Sequence, residues 1–298
     1  MKKTILFIAA LLMTLSASAQ EIEVLLASTY AAQIHQDSID QSSLVVAYTY
    51  RCNTLDSDGK AVTDTKKMCL QIGSHTTRFY PYCKYLEDTE GVDYYSPENV
   101  STTYKESFTF VPEVWMNYPD GMTTVRDNIL PNIYETRESI NPIKWTMTDD
   151  TITIGGYLCK TANAEVHGKK WIVRYAEDIP STAGPWKLGG LPGLILLAED
   201  ADGIHSFCAE DMIYVATPIF YEHNAITIKT SEKELIKQRN KIFGNRLYAK
   251  NPLYYIDRKT MYKNADEVFC EMEGKYFSLI NGIIEKDKAH KYQPLELK

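Results

Sequence analysis

The sequence predicts a mainly β fold (α+β): a single curved antiparallel sheet or half-open barrel, with one or two C-terminal helices. Three observations carry this. Short runs rich in β-branched and aromatic residues recur along the chain, bounded by Gly, Pro, Asp and Ser clusters. Helical stretches are few, and the clearest helical signals lie after residue 230. The chain holds 21 tyrosines, a residue suited to half-buried strands where the ring packs and the hydroxyl stays wet.

The elements follow in chain order. Residues 1–19 read as a signal peptide: Lys2 and Lys3 supply the positive start, Ile5 to Leu15 the apolar run, and Ala17-Ser18-Ala19 the small-residue cleavage site. That run is too short to span a bilayer, and no later segment approaches the length of a membrane span. Residues 20–298 are taken as one β-rich domain. Val24 to Ile34 fits either a short helix or a strand. Ser43 to Arg51, Met68 to Gly73 and Thr77 to Tyr82 read as strands, and Glu87 to Lys105 as a long polar loop. Phe108 to Val111 and Val114 to Tyr118 are short strands, followed by a turn at Pro119-Asp120-Gly121, a returning arm from Met122 to Arg126, and a strand from Asn132 to Arg137.

From Trp145 the pattern sharpens. Ile143 to Met147 and Thr151 to Ile154 form a hairpin about Asp149-Asp150. Tyr157 to Val166 and Lys170 to Tyr175 form another about His167-Gly168-Lys169. On the last arm Trp171, Val173 and Tyr175 share one face, and Lys170, Ile172 and Arg174 the other. Gly189, Gly190, Pro192 and Gly193 then bend the chain into the buried-strand run Leu194 to Ala198. Asp202-Gly203 turns it back into Ile204 to Cys208. Met212 to Val215 and Ala225 to Ile228 add strands. Ser231 with Glu234 is a capping box, opening a helix that runs to about Gly244. A second helix is expected from Ala265 to Ile280, and the tail from Glu285 to Lys298 is expected to fray.

Within this pattern, Gly190-Leu191-Pro192-Gly193-Leu194-Ile195 reproduces the signature of the GLPGLI family. The flanks agree: Ile154-Gly155-Gly156-Tyr157-Leu158-Cys159-Lys160-Thr161-Ala162, then Gly168, Trp171 to Tyr175, Ile179-Pro180, and Gly184-Pro185-Trp186-Lys187. One residue is inserted at Lys160-Thr161-Ala162, and Ala176-Glu177-Asp178 is more acidic than the family pattern. The match spans Trp145 to Phe207 and extends weakly to Leu70-Gln71-Ile72-Gly73 and Phe79-Tyr80. The resemblance implies an exported, envelope-associated protein of Gram-negative bacteria, and it implies no catalytic residues.

Composition excludes some function classes. The formal net charge of -7 becomes -9 once Lys2 and Lys3 leave with the signal peptide, and no basic cluster is present, which argues against nucleic acid and anionic headgroups. Hydrophobic residues at 44% support a true core. All six cysteines lie beyond the leader, so an oxidising compartment permits disulfides. Cys52 with Cys69 is the pairing to name, since both flank the turn Asp56 to Gly59. Cys159 with Cys208 is a second, and six buried free thiols a third.

Candidate chemistry is sparse. The glycine-rich loop lacks the phosphate-cradle order, and Pro192 deletes a donor that a cradle would use. His205, Cys208, His167 and Cys159 have metal-ligand chemistry, but residues three apart on a strand point to opposite faces. Glu177 and Asp178 are adjacent and point apart, unlike a glycosidase pair. Trp186, Trp171, Tyr175 and Tyr157 would line an aromatic pocket with Lys187 at its mouth, suiting an apolar or peptide ligand. The plainer reading, with Trp186 a core plug and Lys187 a surface residue with a packed stem, is favoured. No catalytic residue, metal or cofactor is assigned. The expectation is an exported protein of the periplasm, outer surface or medium that binds a small molecule, peptide or protein partner in the envelope. A secreted hydrolase of glycans or peptides, and a structural partner of an outer-membrane complex, are the alternatives.

Overall fold

The computed structural model describes residues 34–55, 59–91, 112–129, 132–224, 227–243 and 293–297. The fold is laid down by β1 (Ile34–Leu55), a strand of 22 residues that runs well beyond the expected 43–51. Its second half pairs with β2 (Ala61–Gly73) on one side and β11 (His205–Ile213) on the other. Both faces of that stretch are covered. Leu44, Val46, Tyr48, Tyr50 and Cys52 face the main core, while Val45 packs with Cys69 and Tyr80 on the other side. Burial on both faces explains why Leu44 to Tyr48 reads as a continuous apolar run rather than an alternating one.

The first half of β1 leaves this plane and pairs instead with β12 (Pro218–Asn224). Asp40 stands at the departure. Its carboxylate accepts from the backbone N–H groups of His75 at 2.8 Å and Thr76 at 2.9 Å, and from the Ser74 hydroxyl at 2.9 Å. Gly73 is needed beneath it: a Cβ there would lie 2.3 Å from the Asp40 carboxylate. Burial works to raise the Asp40 pKa, but these hydrogen bonds outweigh it and hold the group below its usual value.

The remaining strands are β3 (Thr77–Pro81), β4 (Glu113–Met116), β5 (Met122–Ile129), β6 (Asn132–Ser139), β7 (Thr146–Ile154), β8 (Tyr157–Val166), β9 (Lys169–Ala176), β10 (Leu194–Asp200) and β13 (Thr227–Lys229). Among the described residues thirteen strands join one sheet, in the order β13-β6-β5-β4-β3-β2-β1-β11-β10-β9-β8-β7, with β12 beside β1. Every pairing is antiparallel except β13 with β6. The sheet is open and curved, not closed into a barrel. Two helices are described: α1 (Tyr82–Glu90) and α2 (Glu232–Phe243). No helix among the described residues is long and apolar enough to cross a membrane.

The core lies on one face of the sheet. Trp171, Val173 and Tyr175 of β9, Ala198 of β10 and Phe207 of β11 line it, and the loop between β9 and β10 fills it from above. On the opposite face, Trp115, Ile219 and Tyr221 form a smaller cluster where β12 crosses β4, tied by the Trp115 indole N–H donating to the Phe220 carbonyl at 2.9 Å.

Several expectations need correction. Asp149-Asp150 is not a turn but a bulge within the continuous strand β7. The polar loop expected from Glu87 begins inside α1, which closes on Gly91 at φ 66. β12 was not foreseen. The tail is not frayed where it is described: Leu295 and Glu296 are 4% and 3% exposed. Cys52 and Cys69 carry free thiols. Cys52 stands opposite Asp64 and Cys69 opposite Ala47, on different faces and roughly 16 Å apart along the strand. Cys159 and Cys208 are also free, with β9 and β10 between their strands, a separation of roughly 14 Å. The signal peptide, all but Ile34 of the element at 24–34, the strand at 108–111, the helix at 265–280 and Cys270 lie outside the described residues.

Candidate functional site

The loop 177–193 joins two neighbouring antiparallel strands, β9 and β10, by folding back across the core face. Its backbone closes on itself. Gly190 N–H donates to the Thr182 carbonyl at 2.7 Å, Ile195 N–H to Ala183 at 3.2 Å, and Leu188 N–H to Pro185 at 3.0 Å. The Trp145 indole N–H donates to the Gly189 carbonyl at 2.9 Å. Two glycines have separate duties. Gly190 sits at φ 84, a left-handed value that favours glycine. Gly193 is there for close approach: a Cβ would lie 2.3 Å from the Ala176 carbonyl oxygen, at the point where the loop rejoins β9. Leu191, Leu194 and Ile195 are buried, and Gly190 and Pro192 are the signature residues left facing solvent.

Trp186 adopts φ 56, uncommon for a bulky side chain and of order 1–2 kcal/mol uphill. Combined with the Pro185–Leu188 turn, it sends two consecutive side chains, Trp186 and Lys187, into the interior. The Trp186 ring lies 5.6 Å from both Trp171 and His167. Trp186 and Trp171 are 0% exposed and Tyr175 1%, while Tyr157 is partly buried against the same core. Trp186 and Trp171 are therefore brought together as packed interior, with Tyr175 on the same strand face as Trp171, while Tyr157 lies at the far end of β8 and is not brought to them.

Lys187 is not at a surface mouth. Its ammonium is buried among three carboxylates: Glu138 at the end of β6 at 2.8 Å, Glu296 in the tail at 2.8 Å, and Glu232 in the first turn of α2 at 3.3 Å. The cluster extends through Glu296 to Arg239 of α2 at 3.0 Å, and from Arg239 to Asp127 of β5. His167 Nδ1 lies 3.0 Å from Glu232. Burial would lower the Lys187 pKa, but Glu296 and Glu138 outweigh it and raise it, so the amine is charged and unavailable as a nucleophile. Glu232 is pulled down to about 2, chiefly by the hydrogen bond from His167.

Glu138, His167 and Glu232 place ligand atoms within 4.8 Å of one another, a donor set compatible with a divalent cation. The Lys187 ammonium already stands against both carboxylates, so the arrangement works as an ion-pair cluster. The other metal reading fails on geometry. His205 shares the buried face with Phe207, and Cys208 faces away, paired across to Thr49. Cys159 and His167 lie eight residues apart along β8, roughly 26 Å.

His205 is held by a defined network. Its Nε2 contacts the Pro294 carbonyl at 3.1 Å and its Nδ1 the Tyr50 hydroxyl at 2.9 Å. A carbonyl only accepts, so Nε2 carries the proton and Nδ1 of the neutral ring accepts from Tyr50. Burial pushes its pKa down to about 4, against the opposing pull of Asp200, with Lys169 adding to the depression. Burial also raises the Cys52 thiol to about 11 and the Cys69 thiol further, so neither is a thiolate nucleophile. Glu177 pairs with Lys160 at 2.7 Å on the surface.

A second charged cluster lies on the opposite face. Arg78 is fully buried against the Tyr80 ring at 3.8 Å and pairs with Asp88 at 2.7 Å and with Glu113. Lys84 pairs with Glu222 at 2.6 Å, and Arg126 with Glu135 at 2.9 Å. This network pins α1 and β12 to the sheet. Sequence reasoning missed it, as it missed Glu138, Arg239, Asp127 and Glu296. These residues are far apart in the chain and carry no local motif; for those on strands, such as Arg78, Arg126 and Asp127, the signal is a charged residue at a buried strand position.

No family model matches the chain, and no curated protein matches it. Among solved structures the chain is similar to PNGF-II in a P21 crystal form, at 15% identity and a TM-score of 0.45, covering 67% of this chain and 33% of that one. A C2 crystal form of PNGF-II gives 16% identity and a TM-score of 0.41, covering 65% and 32%. The chain thus spans about a third of the length of that protein.

Proposed function

We propose that this chain is an exported envelope protein of the GLPGLI type that works by holding a partner rather than by turning over a substrate. The residues Gly190 to Ile195 and their flanks support the family reading, and the leader at 1–19 supports export. One observation supports binding above all: large apolar side chains stand exposed on the last three strands of the sheet. Met147 and Ile152 on β7 are 57% and 48% exposed, Leu158 on β8 58%, and Ile172 on β9 36%. β7 ends the strand order. Ile152 stands opposite Cys159 and so points away from the neighbouring Leu158, which gives this edge an exposed apolar side chain on each face; exposed apolar groups mark interaction surfaces. The bulge and the acidic pair Asp149-Asp150 discourage open-ended strand addition at this edge, so the partner is one that docks on side chains.

The test is co-purification from the native envelope with tagged wild type and with the double variant Ile152→Glu and Leu158→Glu. The expected outcome is loss of the co-purifying partner with stability changed by no more than about 0.5 kcal/mol, as for ordinary surface substitutions. An unchanged partner set, or turnover of glycans or peptides by the purified wild type, contradicts the reading.

A further inference from the structure

The geometry points to a peptide-recognition socket beside the signature loop, occupied in this structure by the chain's own residues 293–297, and able to take in their place an extended peptide of a partner that carries leucine followed by glutamate. These residues cross the end of the sheet where β9 and β11 begin and β10 finishes. They are held the way a bound peptide is held, through alternate backbone and side-chain contacts. His205 Nε2–H donates to the Pro294 carbonyl at 3.1 Å. Leu297 N–H donates to the His167 carbonyl at 2.9 Å. Between them Leu295 enters the main core, and Glu296 places one oxygen 2.8 Å from Lys187 and the other 3.0 Å from Arg239.

Specificity resides in the middle pair. The leucine site is apolar and enclosed. The carboxylate site offers two buried cations from different elements, Lys187 in the loop and Arg239 in α2, which a carboxylate bridges with one oxygen each. An amide in its place would turn its NH₂ donor toward one cation and lose a charge-assisted contact there, although Lys187 keeps Glu138 and Glu232 and Arg239 keeps Asp127. The flanking residue Leu297 is 54% exposed, so the socket reads the leucine and the glutamate and is indifferent to the next side chain.

The occupant is not continuous with the socket. The described residue before it in sequence is Phe243, at the end of α2, and 244–292 intervenes. Because it belongs to the same molecule, the segment competes intramolecularly with any free peptide. A free peptide sees only the small fraction of molecules whose socket is open, and its apparent affinity is reduced by that fraction.

That relation gives the experiment. The octapeptide Lys-Tyr-Gln-Pro-Leu-Glu-Leu-Lys, matching 291–298, is labelled and titrated against the full chain, wild type and Leu295→Asp/Glu296→Lys, with anisotropy as readout. The double variant, whose own segment no longer fits, is expected to bind the peptide at least about tenfold more tightly than wild type. The same peptide with glutamine for its glutamate is expected to bind that variant at least about tenfold more weakly. Equal binding of the two peptides, or no binding to the variant, overturns the proposal. If the double variant does not fold, wild type decides: millimolar peptide is expected to speed hydrogen exchange at the Leu297 amide, and an unchanged rate overturns the proposal.

Discussion

At the scale of single residues, the protein uses buried ionisable groups as structure. His205 shows this most clearly. Its folded-state pKa of about 4 lies below the unfolded value near 6.5, so between those limits the unfolded chain binds more protons. Its contribution to stability is complete above the unfolded value and is lost as pH falls toward 4. The loss is on the order of 3 kcal/mol for a shift of this size. Urea melts of wild type and His205→Gln at pH 7 and pH 4 measure it: wild type is expected to lose that much more than the variant over the interval. Parallel pH dependence of the two proteins contradicts the assignment. Lys187 tells a similar story. The sequence offers a lysine beside a tryptophan, and the usual expectation is a surface ammonium with a buried stem. Three carboxylates from distant parts of the chain reverse that, and none of them is near enough in sequence to betray it.

At the scale of elements, the legible parts were those with a local physical signal. β8 and β9 turn about His167-Gly168, and β10 and β11 turn on Asp202-Gly203 with Gly203 at φ 67. α2 opens where Ser231 invites it, its hydroxyl accepting from Glu234 N–H at 3.3 Å. α1 was hidden because Thr77 to Tyr82 runs on as a plausible strand and the helix buries no residue fully. The kink in β1 was hidden because its cause, the Asp40 nest over Gly73, joins residues more than thirty positions apart. That nest carries its own prediction. Asp40→Ala strands the N–H groups of His75 and Thr76 and is expected to lower stability by about 1–3 kcal/mol in urea titration. A change below about 0.5 kcal/mol, as at an ordinary surface position, means the kink is held by strand pairing alone.

At the scale of the molecule, one open sheet has to hide an apolar face, and among the described residues a loop, one helix and the tail cover it. The loop between β9 and β10 supplies Trp186, Leu188 and Leu191, α2 supplies Leu235, and the tail supplies Leu295. The composition and the strand pattern made the sheet readable, and Trp186 as a core plug and the helix capped by Ser231 were readable with it; the tail's part in the cover was not, because Leu295 and Glu296 carry no local pattern. Among the described residues, Met147, Ile152, Leu158 and Ile172 on β7, β8 and β9 stand exposed outside this cover. The account stands or falls on whether the loop truly closes the core. The most direct measurement is the unfolding free energy of Gly193→Ala beside that of Pro192→Ala. Gly193 abuts the Ala176 carbonyl, where an added methyl must push the loop off β9, so a loss of about 2 kcal/mol or more is predicted, with Pro192→Ala, at an exposed position one residue away, losing clearly less. Equal and small losses at both positions would contradict it.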